Sequence, residues 1–145
     1  MVTMKMAYSS PSVLEKQIPK LSEAQQMIAV KQLARAYGNT TPNEIIPWLN
    51  TLESSNVRDT AIVSSLSSFR HSNTEQAFEL STYIDDYNQR RDQVQKTLLE
   101  WVSVDPQAAM NALYSSSLDE NLKDGIARNI SAQDPEVKDF LLPAK

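Results

Sequence analysis

Four dipeptides of one kind punctuate the chain: Ser10-Pro11, Thr41-Pro42, Asp105-Pro106 and Asp134-Pro135. In each, a helix-capping residue precedes Pro. Asn73-Thr74-Glu75-Gln76 fills the one gap in the series, so the starts fall at 10, 41, 73, 105 and 134, spaced by 31, 32, 32 and 29. A fixed spacing constrains a fold strongly, because each copy must build the same local unit and bury its apolar face on its neighbours. The dipeptide itself specifies what each unit begins with. Ser, Thr, Asp or Asn at the N-cap accepts a bond from a free helix N–H. Pro at the next position loses no bond, and its fixed φ suits the first turn. Thr41 with Glu44, and Asn73 with Gln76, have the spacing of capping boxes.

Each start therefore opens a helix, A, and apolar residues follow at helical spacing. They are Val13, Leu14, Ile18 and Leu21, then Ile45, Ile46, Leu49 and Leu52. The third and fourth units give Ala77, Phe78, Leu80 and Ile84, then Ala109, Met110, Ala112 and Leu113. A second helix, B, fills the rest of each unit. Ser22 with Gln25 forms a capping box for the first B helix, and Asn56, Asn88 and Asn121 are cap candidates for the others. Arg58-Asp59, Arg91-Asp92 and Lys123-Asp124 follow these caps, placing an acid in the first turn, where the helix dipole favours it. Asp85-Asp86 and Asp119-Glu120 read as solvated loop charges. Four residues before each later start stand Tyr37, Phe69, Trp101 and Ile130, a column of large residues expected to pack where units meet. Pro47 falls inside the second A helix and should kink it or delay its start.

The pattern predicts an all-α fold, a right-handed α-solenoid of about four and a half helix pairs. Residues 1–9 form an N-terminal extension, and 10–145 a single helical-repeat domain whose last, truncated helix runs from Pro135 to about Leu142. Composition agrees. Average usage would supply roughly ten Gly in a chain this long, and only two are present. Caps and prolines do the punctuation instead, leaving no phosphate-binding loop or dinucleotide fingerprint. The ending inside a unit suggests a capping half-repeat or a segment of a longer array. A complete chain is expected in the cytoplasm; an excised segment leaves the periplasm open.

The run Trp101-Val102-Ser103-Val104-Asp105-Pro106-Gln107-Ala108-Ala109 resembles the Trp-x3-Asp-Pro-x-Ala-Ala signature of bacterial HEAT-like helical-repeat proteins. Their usual Arg-Asp near the start of the second helix is matched by Arg58-Asp59 and Arg91-Asp92, and conservatively by Lys123-Asp124. Elsewhere Tyr37 and Phe69 stand in for the Trp, and Thr41 and Asn73 for the Asp. The resemblance implies stacked HEAT- or armadillo-like pairs that bind proteins. Tetratricopeptide-like packing ranks second, because that repeat is nearer 34 residues and neither Gly38 nor Gly125 stands where it carries its Gly.

The chain has no Cys and one His, which excludes thiol chemistry, disulfides and multi-His metal sites, and no cofactor is expected. His71 reads as a helix C-terminal residue favoured by the dipole. A net charge of −4 with scattered basic residues argues against a nucleic-acid footprint. No apolar run is long enough to insert in a membrane. The leading expectation is a non-enzymatic module that binds a protein or peptide on the polar face of successive B helices. The candidate residues are Arg35, Ser64, Ser67, His71, Lys96, Glu100 and Arg128, with small Ser side chains leaving room for a partner. A structural segment of a larger repeat protein is the alternative, and a HEAT-like nucleic-acid-processing enzyme ranks below both.

Overall fold

The cap chemistry sets the element boundaries in the computed structural model, which describes residues 15–40, 45–69 and 73–141. The described residues contain helices and connecting turns but no strand. After a 3-10 turn at Ile18–Lys20 come α1 (Glu23–Thr40), α2 (Ile45–Leu49) and α3 (Ser55–Phe69). They are followed by α4 (Thr74–Ser81), α5 (Tyr87–Val102), α6 (Pro106–Ser115) and α7 (Glu120–Gln133), and by a 3-10 segment at Pro135–Phe140. Short A helices thus alternate with long B helices. The B helices α1, α3, α5 and α7 begin 32, 32 and 33 residues apart.

The A-helix caps act as their residue types predict. Asn73 accepts from Gln76 N (3.2 Å), Asp105 from Ala108 N (3.1 Å) and Asp134 from Glu136 N (3.2 Å). Pro106 and Pro135 occupy the first turns that follow. The Ser10 and Thr41 starts lie outside the described residues. Pro47 lies within α2 (Ile45–Leu49), and residues 41–44, where the expected start of that helix falls, lie outside the described residues. The last expected helix is 3-10 rather than α, and Leu142 lies outside the described residues.

The B-helix caps differ from expectation for three of the four. Ser22 and Gln25 form the reciprocal box, with Gln25 N donating to Ser22 Oγ and Ser22 N to Gln25 Oε1. The other caps are Ser54, Asp86 and Asp119, which accept from Val57, Gln89 and Leu122 N–H groups. Asn56, Asn88 and Asn121 lie two residues too late, exposed in the first turn. Asp86 and Asp119 are therefore helix caps rather than solvated loop charges, and Asp85 is paired with Arg58.

Apolar burial follows the A-helix pattern at most described positions, with Leu21 and Ala112 only partly buried against the core. Leu49, Leu52, Ala77, Phe78, Leu80, Ile84, Ala109, Met110 and Leu113 are all buried, as is Trp48. The interior divides into two clusters. The first joins the 3-10 turn, α1, α2, α3 and one face of α4 through Ala77 and Leu80, with Ile84 just beyond the helix. The second joins Phe78 of α4 to α5, α6, α7 and Val137. Helix α1 packs along α3, and α5 packs on α4, α6 and α7. Of the aromatic column, Trp101 is partly buried against the second cluster, its ring 6.1 Å from that of Phe78 at 57°. Ile130 is fully buried, and the Tyr37 and Phe69 side chains lie outside the described set.

Candidate interaction surface

Counting from the observed caps brings out a register that the dipeptide spacing had obscured. The fourth residue of each B helix is Gln26, Arg58, Arg90 or Lys123, and each donates to a backbone carbonyl near the end of the preceding A segment. Gln26 Nε2 reaches Ile18 O (3.0 Å) and Leu21 O (3.1 Å); Arg58 Nη2 reaches Leu52 O (2.9 Å). Arg90 Nη1 reaches Ile84 O (2.9 Å), and Lys123 Nζ reaches Tyr114 O (3.0 Å). The last carbonyls of a helix have no intrahelical partner, so a long donor from the next helix is a physical reason to keep one at this position. The equivalent of Arg58 is thus Arg90, not Arg91. Arg91 instead forms an exposed contact with its neighbour Asp92 at 3.3 Å.

The Arg-Asp reading holds in one unit. Asp59 is buried, and its two carboxylate oxygens accept from the N–H groups of Asp85 (2.8 Å) and Asp86 (3.0 Å). These N–H groups precede α5, so the carboxylate sits at the positive end of that helix. Arg58 adds a 2.9 Å ion pair to Asp85. Both act between α3 and the start of α5, which makes them ties between units rather than exposed ligands.

The expected partner-binding residues fall on B helices. Arg35 on α1, Ser67 on α3, Lys96 on α5 and Arg128 on α7 are exposed, and Ser64 is half-buried. Ser67 donates to Ser64 O within its own helix. Glu100 is half-buried, with Oε2 shielded from solvent, so it turns toward the protein more than a rim residue would. His71 lies outside the described residues. Ser64 and Lys96 occupy the tenth position of their helices, where α7 carries Asn129 rather than Arg128. Asn129 donates to Gln95 Oε1 across the α5–α7 seam (3.1 Å), next in sequence to Lys96 and Arg128. The candidate residues therefore group on two packed helix pairs: Arg35, Ser64 and Ser67 on α1 and α3, Lys96, Glu100 and Arg128 on α5 and α7.

Three concavities lie elsewhere, at the ends of A segments. One of about 540 Å³ is bounded by Glu15, Ile18, Glu23, Gln26, Leu52 and Glu53. A second, of about 300 Å³, lies between the ends of α4 and α6, against Phe78, Tyr83, Ala112 and Ser115 to Ser117. A third, of about 360 Å³, shares Thr82 and Ser117 with it and adds Arg90 and Asp119. None is lined by the expected partner-binding residues. Tyr83 and Tyr87 beside them are exposed, and the Arg90 guanidinium lies 5.6 Å from the Tyr87 ring centre. No residue type marks these grooves in the sequence, because each is assembled from residues of two A segments.

Among the described residues, no three His, Asp or Glu side chains are grouped to hold a metal ion, and no helix is long and apolar enough to cross a membrane. No protein-family model matches the chain, and neither curated proteins nor solved structures give a match.

Proposed function

We propose that the chain is a right-handed α-solenoid of HEAT-like helix pairs and serves as a non-enzymatic module that binds a protein or peptide on an extended surface. One observation carries this reading. The caps Ser22, Ser54, Asp86 and Asp119, and the donors Gln26, Arg58, Arg90 and Lys123, recur together at spacings of 32, 32 and 33. Repeated units, each closed by the same bond from its B helix to its own A segment, favour a stack whose B helices present the same position again and again. Affinity on such a surface comes from many shallow contacts over a standard-sized interface.

The binding face in this reading is the polar side of the B helices. The side chains of Arg35, Lys96 and Arg128 support it, being exposed and free of hydrogen bonds to other described residues. The grooves beside Tyr83 and Ser117 support a second site for the same activity. A photo-crosslinking residue placed at Lys96, and separately at Ser117, in cells that produce the chain distinguishes the two. The expected result is a light-dependent adduct with another protein from Lys96, weakened when Arg128 is changed to Glu. An adduct from Ser117 alone moves the site to the A-helix ends. Absence of a light-dependent adduct from either position overturns the interaction-module reading.

A further inference from the structure

We propose that α4 is a hinge between two separately cooperative cores, and that Asp59 with Arg58 forms the clasp that holds them together. This goes beyond any binding role and does not depend on it. Among the described side chains, α4 is the helix that contributes to both apolar clusters: Ala77 and Leu80 to the first, Phe78 to the second. Among the described side chains, the first cluster takes none from α5 and the second none from α3. The packing between B helices follows the same division. Helix α1 lies along α3, and α5 lies against α7, but α3 and α5 share no comparable contact.

The ties that the described residues make from α3 to the start of α5 are polar. Asp59 accepts both N–H groups leading into α5, and Arg58 pairs with Asp85 while also holding Leu52 O. A carboxylate with two backbone donors at a helix N-terminus is strong and directional. Apolar packing tolerates small rotations, whereas this pair of bonds fixes one approach of α5 to α3. Opening the clasp frees α5 to turn about α4 while each core keeps its own apolar contacts.

The chain's two tryptophans report the two cores separately. Trp48 is buried in the first, and Trp101 packs on the second. Urea unfolding is followed by fluorescence in Trp101→Phe, which leaves Trp48, and in Trp48→Phe, which leaves Trp101. Each is measured with and without Asp59→Ala. In the Asp59→Ala background the two midpoints should separate by roughly 0.5 M or more, a gap readable with small-domain urea slopes. Superimposed transitions, or loss of structure in both halves at once, overturn the hinge. A second measurement uses the unmodified chain. Native-state hydrogen exchange of α1 and α3 amides should follow a different denaturant dependence from that of α5, α6 and α7. One shared isotherm for both groups refutes the proposal.

Discussion

Replacing Trp101 with Ala measures how much a seam residue contributes. A Trp side chain buries 150–250 Å² when enclosed, but Trp101 is only partly buried, against Phe78 and the second apolar cluster. Taking roughly 100 Å² as the area kept from water, about 25 cal/mol per Å² gives about 2.5 kcal/mol. That is below the 3–5 kcal/mol, as an order of magnitude, for a fully enclosed Trp. The open edge of the site lets water enter the vacated space, so a large cavity term is not expected. The tilted ring pair with Phe78 adds roughly 0.5–1.5 kcal/mol of coupling within the total. The assay is urea unfolding by far-UV circular dichroism for the unmodified chain, Trp101→Ala, Phe78→Ala and the double variant. The expected total for Trp101→Ala is about 2–3 kcal/mol, with a measurable coupling to Phe78. A total under about 1 kcal/mol, or no coupling, would refute the assignment of the aromatic position to the core.

Other substitutions test the caps and the register. Asp105→Ala removes the acceptor for Ala108 N and should cost about 1 kcal/mol in the same unfolding assay. Arg90→Met removes the donor to Ile84 O and should cost about 1–2 kcal/mol. Arg91→Ala, which breaks only the exposed contact with Asp92, should stay within about 0.5 kcal/mol. Equal effects at positions 90 and 91 would contradict the register counted from the caps. Val104 is 82% exposed, so Val104→Ser should leave the unfolding midpoint within error.

The A-helix starts were legible because their signal is local. A capping residue with Pro, or with Gln three positions on, states its own role, and Asn73, Asp105 and Asp134 perform it. The B-helix starts were harder, because two aligned sets of capping residues compete within three positions. Asn56, Asn88 and Asn121 share the spacing of Ser54, Asp86 and Asp119, and only the latter have N–H groups to accept from three residues on. The Arg-Asp motif misled separately: matching the dipeptide set Arg91 against Arg58, 33 residues on, although either set of caps aligns Arg58 with Arg90. Once Asp86 is the cap, Arg90 falls four residues beyond it, as Arg58 does beyond Ser54. The clasp at Asp59 was illegible for a different reason. Its partners are backbone N–H groups 26 and 27 residues away, and no residue type marks them. The candidate surface was legible as polar B-helix positions. Its division between two helix pairs was not, because the unequal packing of α1 on α3 and α3 on α5 depends on three-dimensional contacts.

The central claim is that the helix pairs stack in sequence order. Lys31 on α1 and Arg128 on α7 are both exposed and stand at the same position of the first and last B helices. The chain has no Cys, so spin labels on cysteines introduced at these two positions report one distance. Neighbouring packed helices lie about 8–10 Å apart. The packed α1–α3 and α5–α7 steps together span about 16–20 Å, and the α3–α5 step is wider than a packed one, so a dipolar spectroscopic distance above about 25 Å is the predicted result. A distance of about 10 Å, the separation of directly packed helices in a closed bundle, would contradict the solenoid.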